Sequence, residues 1–188
     1  MNKTTRILFV NPISGIEGFL PIGLSSLIAV LLENDFKTEI FDTTYYKTTD
    51  YSDREKNELV GEFVPVDMSQ YGIVKEEIDY IAAFNDKISQ FNPDVIGVTI
   101  PTAYNYPLAK ELIDGIADFS GPVIVGGKYV TVTPERFFDD DKVTIICIGE
   151  GEKALLDLVN RIEDKRPYYD IPNLMVKHGG KLIKNELG

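Results

Sequence analysis

A short run of β-branched residues that ends in two glycines constrains the fold of this chain more than any other feature. Val123 to Val125 lies between Pro122 and the pair Gly126 and Gly127, a pattern typical of a parallel strand that is buried on both faces. Two glycines at the carboxyl end of a strand remove the side chains there, so a ligand or another backbone segment can approach closely. The pair therefore indicates either a ligand-binding edge or a tight strand-to-helix turn without a ligand.

Short apolar runs alternate with amphipathic segments along the rest of the chain. The predicted strands are residues 6–11, 38–41, 95–100, 123–125 and 143–148, and the predicted helices begin near residues 21, 75, 106, 134 and 149. This alternation predicts an α/β fold with a doubly wound, mostly parallel five-stranded sheet. The flavodoxin-like strand order 2-1-3-4-5 is preferred to a half-Rossmann order. Gly179 and Gly180, between two strand-like runs, predict a C-terminal β-hairpin.

Residues 43–73 interrupt this alternation. The segment is polar, rich in Tyr, Thr and Asp, and has no sustained hydrophobic period, so it is interpreted as a surface insertion with a short helix near residues 53–60. A loop of this length is usually either functional or disordered. Its tyrosines could form a lid over a site or could only hold the loop against the domain: Tyr45, Tyr46, Tyr51 and Tyr71.

Composition and charge exclude several classes of function. The 188 residues predict one domain, and the net charge of −11 argues against nucleic acid and anionic membranes as partners. A single cysteine, Cys147, rules out a disulfide framework or a multi-cysteine metal site and favours a reducing, cytoplasmic location. His178 is the only histidine, so metal sites rich in histidine and a His-based triad elsewhere are excluded. No signal peptide or membrane-spanning run is evident.

Standard phosphate-binding fingerprints also fail. The loop after the first predicted strand lacks the G-x-G-x-x-G spacing, and no Ser or Thr follows Lys128 as a P-loop requires. A phosphoacceptor aspartate is missing after the third strand. What remains is a neutral edge of small and polar residues, which suits an uncharged or singly anionic group: Asn11, Thr99, Thr102, Gly126, Gly127 and Gly149.

Several single residues keep two interpretations at this point. Glu150 and Glu152 precede a helix, where carboxylates either interact with the helix dipole or contact a ligand. Asp42 could bind a ribose hydroxyl, although a turn-forming role is preferred. Cys147 is expected to be an inert core residue, and His178 is not expected to bind a metal.

Five motifs, in order, resemble the amino-terminal cobalamin-binding domain of cobalamin-dependent radical S-adenosylmethionine enzymes. The first strand is followed by P-x-G-L at residues 21–24, and NPDVIGVT at 92–99 resembles the family's P-D-[VL]-[IV]-G-[IV]-[ST] strand. Residues 126–135 resemble G-G-x-H-A-T-x-x-P-E, and residues 149–152 match G-E-G-E. Residues 171–174 and the following hairpin resemble the connector that precedes the catalytic barrel.

The resemblance implies a module that binds base-off cobalamin and is part of a longer enzyme, with methyl transfer or related radical chemistry as its activity. Residues 1–165 would form the cobalamin-binding domain, and residues 166–188 would lead toward the barrel. S-adenosylmethionine and an iron–sulfur cluster would belong to that further part, so no catalytic or metal-ligating residue is assigned here. The implied cofactor-binding residues are Asn11, Pro12, Pro21, Gly23, Thr99, Pro101, Thr102, Ala103, Tyr104, Gly126, Gly127, Lys128, Tyr129, Gly149, Glu150, Gly151 and Glu152.

Two departures from related patterns matter for this hypothesis. Tyr129 stands where the family has His, and the loop after the first strand contains no His that could ligate cobalt, unlike the D-x-H-x-x-G loop of methionine-synthase-like domains. The lower axial position of cobalt would then hold water or no ligand. The alternative function is a flavodoxin-like regulatory or interaction module that binds no cobalamin. A nucleotide-binding enzyme is disfavoured by the failed fingerprints.

Overall fold

A computed structural model describes residues 3–14, 21–49, 60–62, 66, 68–72 and 74–188. Strands and helices alternate through most of this range, and two short 3₁₀ helices are formed by Met68–Tyr71 and Pro134–Phe137. The strands are β1 (Arg6–Asn11), β2 (Lys37–Asp42), β3 (Val95–Thr99), β4 (Val123–Gly126), β5 (Ile145–Cys147), β6 (Leu174–His178) and β7 (Lys181–Lys184). The helices are α1 (Ile22–Glu33), α2 (Tyr80–Phe91), α3 (Tyr106–Asp114), α4 (Lys128–Val132) and α5 (Glu152–Glu163).

The strands form one sheet in the order β2-β1-β3-β4-β5-β6-β7. The first five pair in parallel, which confirms the predicted α/β class and the flavodoxin-like order. The C-terminal hairpin is confirmed too. It does more than connect, because β6 pairs antiparallel with β5 and places Val176 beside Ile145. The parallel sheet of five strands is thereby extended to seven.

Alternation along each strand divides the apolar residues between two cores. Leu8 and Val10 of β1 face α2, α3 and α4, whose buried residues include Phe84, Leu112 and Val130. The other face of the sheet packs against α1 and α5 through a second set of buried residues, which includes Ile7, Phe9, Leu24, Leu31, Ile124, Ile145, Cys147, Leu155 and Leu158. Helices therefore cover both faces, as expected for a doubly wound sheet.

Some element boundaries differ from those predicted. Helix α2 begins at Tyr80 rather than near residue 75, because the Asp79 carboxylate accepts hydrogen bonds from the N–H groups of Ile81 and Ala82 and caps the helix. Helix α3 ends at Asp114, although the hydrophobic pattern of the sequence predicts a helix from residue 106 to about residue 119. Helix α4 was not predicted, and the predicted helix at residues 53–60 falls almost entirely outside the described residues.

The described parts of the 43–73 segment pack partly against the domain. Tyr46 forms a parallel bridge with Glu76, and its ring lies 5.5 Å from the ring of Phe41. Tyr46 therefore holds the loop against the domain, whereas Tyr45 and Tyr71 are exposed and Tyr51 lies outside the described residues. In the ranges given above, no helix combines the length and apolar character needed to cross a membrane.

Candidate ligand-binding cleft

A cleft opens at the carboxyl edge of the parallel strands, on the face of the sheet that α1 and α5 cover. Its volume is about 730 Å³, which is within the range of small-molecule sites, roughly 300–1,000 Å³. Ligands of open α/β sheets bind at this edge because the loops that follow the strands converge there. The cleft therefore lies where the sequence predicted a ligand-binding edge.

The floor of the cleft is a row of three registered residues, Phe9 on β1, Gly97 on β3 and Ile124 on β4. A Cβ atom at Gly97 would lie 3.0 Å from the Phe9 ring and 3.7 Å from Ile124. Glycine at this position thus leaves room for the Phe9 ring to lie beside the strand. Leu27 of α1 and Leu155 of α5 line the cleft from the helix side, so its inner end is apolar.

The rim of the cleft comes two residues later on the same face and consists of Asn11, Thr99, Gly126 and Cys147. A Cβ atom at Gly126 would meet only Cys147, at 3.5 Å, which is ordinary contact. Gly127 differs, because its φ is +113° and an added Cβ would lie 2.8 Å from the Ile100 carbonyl oxygen. Gly127 thus makes the tight turn into α4, while Gly126 keeps the rim free of a side chain.

Side-chain hydrogen bonds hold the loops around the rim. Thr102 Oγ1 donates to Asn105 Oδ1 at 2.6 Å, and Asn105 Nδ2 donates to the carbonyl of Pro12 at 2.9 Å. On the opposite side, the N–H of Gly149 donates to Thr131 Oγ1 at 3.0 Å. The second and third bonds join segments that follow different strands, so the opening is formed before any ligand arrives.

Asn11 lines the cleft and carries a buried hydrogen-bond acceptor. Its side-chain Nδ2 donates to Asp42 Oδ2 at 2.9 Å, which fixes the orientation of the amide. Asn11 is only 2% exposed. Its Oδ1 is buried and has no hydrogen-bond partner among the described residues. The other Asp42 oxygen accepts from the N–H of Thr44 at 2.8 Å, which agrees with the turn-forming role. Because an unpaired buried acceptor is costly, a donor that reached Asn11 Oδ1 would stabilise it.

The acidic pair at the start of α5 has separate roles. Glu152 lies in the first turn of α5 and accepts a hydrogen bond from Ser26 Oγ of α1 at 2.7 Å. It therefore joins the two helices that bound the cleft, whereas Glu150 is exposed. Burial, and then the charges of Glu152 and Glu150, raise the pKa of Cys147 to about 12. Its thiol therefore stays protonated at neutral pH and serves as an apolar wall, as an inert core residue would.

Most of the residues implied by the family resemblance meet at this cleft. Those that line it are Asn11, Pro21, Gly23, Thr99, Pro101, Thr102, Tyr104, Gly126, Gly127, Lys128, Gly149, Glu150, Gly151 and Glu152. Pro12, Ala103 and Tyr129 do not line it. The Tyr129 ring lies 5.5 Å from the ring of Tyr106 and packs with the core on the opposite face of the sheet.

Sequence reasoning missed the inner end of the cleft. The residues that line the whole cleft but were not predicted are Phe9, Ile13, Ser14, Ile22, Leu24, Leu27, Gly97, Val98, Asn105, Ile124, Cys147 and Leu155. The two-residue period of a strand could have identified Phe9, Gly97 and Ile124, because each precedes a predicted rim residue by two positions. His178 does not line this site, and its ring stacks on Tyr169 with centroids 4.1 Å apart.

Comparison with known sequences agrees with this geometry. The profile of the B12 binding domain family matches residues 65–159, which include β3, β4, β5 and their rim loops. An uncharacterized methyltransferase of Pyrococcus horikoshii is 30% identical over 106 residues, which cover 53% of this chain and 22% of the relative. The chain thus spans only about a fifth of that relative.

Solved structures share the fold. The radical S-adenosylmethionine methyltransferase TsrM from Kitasatospora setae, with cobalamin and a [4Fe-4S] cluster bound, superposes with a TM-score of 0.73 at 18% identity, over 98% of this chain and 29% of TsrM. The apo form of OxsB, a cobalamin-dependent S-adenosylmethionine radical enzyme, gives a TM-score of 0.66 at 19% identity, over 98% of this chain and 22% of OxsB.

The family resemblance seen in the motifs is thereby confirmed. The matched profile covers half of the chain and contains three of the five motifs, 92–99, 126–135 and 149–152. The strand order and the cleft at the carboxyl edge agree with the flavodoxin-like order and the ligand-binding edge that the sequence predicts. The chain belongs to the B12-binding domain family.

Proposed function

We propose that this chain is the cobalamin-binding part of a radical S-adenosylmethionine enzyme, with methyl transfer as the reaction class. The observation that carries the proposal is the cleft, which has an apolar inner end and a rim kept clear by Gly126. A planar base needs both features to enter between a sheet and two helices. The nucleotide tail of base-off cobalamin would occupy the cleft, and the corrin ring would lie over the loops at the rim.

The residues of the cleft fit such a group. Phe9, Ile124 and Leu155 offer apolar surface to a bicyclic aromatic base, and stacking against such surface is favourable. Asn11 Oδ1 offers an acceptor to a hydroxyl or amide N–H of the cofactor. The hydroxyl oxygen of Thr102, whose proton is donated to Asn105 Oδ1, would accept a hydrogen bond from a corrin amide at the rim.

The chain supplies no imidazole to the cobalt in this arrangement. Its only histidine is His178, which stacks on Tyr169 at the hairpin and does not line the cleft. Bound cobalamin would supply a cobalt centre able to accept and donate a methyl group. The residues of this chain bind and orient the cofactor and keep water from its buried base.

The reaction itself is assigned to a further part of a longer enzyme. In this proposal residues 1–165 bind cobalamin, and residues 166–188 lead to a barrel that holds S-adenosylmethionine and the iron–sulfur cluster. The names of the similar proteins support it, since one is a methyltransferase and others are radical S-adenosylmethionine enzymes. The free, buried Cys147 fits the cytoplasmic location that we also propose.

Absorbance spectroscopy tests the proposal directly. The purified 188-residue chain is mixed with hydroxocobalamin and desalted, and we expect a retained corrin spectrum of base-off form. Absence of any corrin absorbance would contradict the proposal and favour a flavodoxin-like regulatory or interaction module instead.

Two substitutions locate the binding site. Gly126→Val and Thr99→Leu should each reduce retained cobalamin at least tenfold, because the new side chains would enter the cleft mouth. The fold should survive, since a Cβ at position 126 has only an ordinary contact. Thr99→Ser, which keeps a hydroxyl and adds no bulk, is the matched control. Equal retention by all variants, with unchanged melting temperatures, would place the site elsewhere.

A further inference from the structure

Polarity changes sharply from the rim of the cleft to its floor. The polar side chains that line the cleft, such as Asn11, Thr99 and Glu152, lie at the strand ends, on the rim loops or at the start of α5. The inner end is formed by Phe9, Ile124 and Leu155, whose side chains have no hydrogen-bonding atom. A group that reaches the floor therefore meets only apolar side chains.

The backbone at the floor offers no hydrogen bonds either. Gly97 is the floor residue without a side chain, and its strand, β3, lies between β1 and β4. Gly97 is registered with Phe9 on one side and with Ile124 on the other. In the interior of a sheet the N–H and C=O groups are used by the ladders, so a polar atom of a ligand would stay unpaired there.

From this gradient we infer that the cleft selects cobamides by the polarity of their lower base and prefers 5,6-dimethylbenzimidazole to adenine. This inference rests on the proposed function. The two bases are both bicyclic and similar in size, so shape alone distinguishes them weakly. Adenine would bury an exocyclic amine and ring nitrogens without partners, which carries a large penalty. The methyl groups of dimethylbenzimidazole match the apolar floor.

The coordination of the base to cobalt acts in the opposite direction, which makes the inference testable by its sign. A purine nitrogen is less basic than the benzimidazole nitrogen and leaves cobalt more readily, so the cost of the base-off form alone would favour the adenine cobamide. The floor of the cleft favours the reverse order. The sign of the preference therefore reports on the floor and not on the cobalt coordination of the free cofactor.

Equilibrium titration of the purified chain with three corrinoids tests this. We expect cobalamin to bind at least tenfold more tightly than the adenine cobamide, and at least tenfold more tightly than cobinamide, which lacks the nucleotide tail. Equal or tighter binding of the adenine cobamide would overturn the inference, as would equal binding of cobinamide. Failure of all three to bind would instead refute the proposed function, so the two failures are distinguishable.

A matched pair of variants then links the preference to the floor. Ile124→Thr and Ile124→Val remove similar bulk, but only the first adds a hydroxyl at the floor. We expect Ile124→Thr to reduce the cobalamin-to-adenine-cobamide affinity ratio at least threefold relative to Ile124→Val. Melting temperatures verify that both variants fold. The same ratio in the two folded variants would show that position 124 does not contact the base, contrary to the inference.

Discussion

Asn11 combines burial, a fixed orientation and an unpaired acceptor, which few residues of a folded core do. Its Nδ2 donates a hydrogen bond to Asp42, which holds the side-chain amide in one orientation. In that orientation Oδ1 has no hydrogen-bond partner within the described part of the chain. Buried polar atoms without partners are rare in folded proteins and call for an explanation. In the proposed function a donor of the cofactor supplies the missing partner, because Asn11 lines the cleft wall.

Substitution Asn11→Leu should therefore move binding and stability in different directions. We expect cobalamin affinity to fall about tenfold or more, because a hydrogen bond to the cofactor is lost. The melting temperature of the cofactor-free protein should stay the same or rise, because an unpaired buried acceptor is removed and the exposed Asp42 remains solvated. Titration and differential scanning calorimetry measure the two effects.

Thr48 provides the control for Asn11. Its hydroxyl is also buried without a partner among the described residues, but it does not line the cleft. Thr48→Val should leave cobalamin affinity unchanged, with a melting temperature that is equal or higher. If Asn11→Leu lowered stability and left affinity intact, Asn11 would be a structural residue only.

At the scale of elements, the end of α5 is tied to the start of β1 by one carboxylate. Glu163 accepts hydrogen bonds from the hydroxyl of Thr5 at 2.6 Å and from the N–H groups of Thr5 and Thr4 at 2.7 and 3.1 Å. The Thr5 hydroxyl is the main cause that lowers the pKa of Glu163 from 4.5 to about 2. The folded state therefore favours the charged carboxylate.

This contact gives a prediction for the pH dependence of stability. A carboxylate with a lowered pKa stabilises the fold fully above its unfolded pKa of 4.5, and the effect is lost as the pH falls toward 2. At pH 6, Glu163→Gln should lower the melting temperature by roughly 2–4 °C. The difference between the two proteins should shrink below pH 4.5 in a melting series from pH 6 to 2.5. A constant difference would show that the charge of Glu163 is not involved.

At the scale of the whole molecule, the hairpin is part of the sheet and of its core. Leu174 and Val176 of β6, together with Ile171 just before it, are at most 1% exposed, and they pack with the residues that α1 and α5 cover. Burial of each such side chain contributes about 1.5–3 kcal/mol. Together they are comparable with the stability of a typical domain, about 5–15 kcal/mol.

Removal of residues 171–188 should therefore abolish cooperative unfolding and leave an aggregation-prone chain with an open β5 edge. Circular dichroism melting and size-exclusion chromatography measure this outcome. A milder variant, Leu174→Ala, should cost about 2–4 kcal/mol, while Leu187→Ala, at an exposed position, should change little. Cooperative unfolding of the truncated chain at the temperature of the full chain would show that the hairpin is dispensable.

The fold class and strand order were predictable because they depend on local patterns. Buried β-branched runs such as Val123 to Val125, separated by amphipathic helices, leave few topologies open once crossovers are right-handed. Boundaries were less predictable where capping decided them, as at Asp79. Helix α4 has only five residues, which is too short for a hydrophobic period to be visible.

The sequence by itself determined which residues stand at the carboxyl ends of the strands, because local hydrophobic runs and turn residues mark where each strand ends. Only the tertiary structure decided how deep the site is. The depth depends on Leu27 and Leu155, which reach the cleft from two helices distant in the chain. The tertiary structure also decided that Gly126 leaves the cleft rim free of a side chain while Gly127 makes a turn. The two glycines are chemically identical and differ only in φ and in the atoms around them.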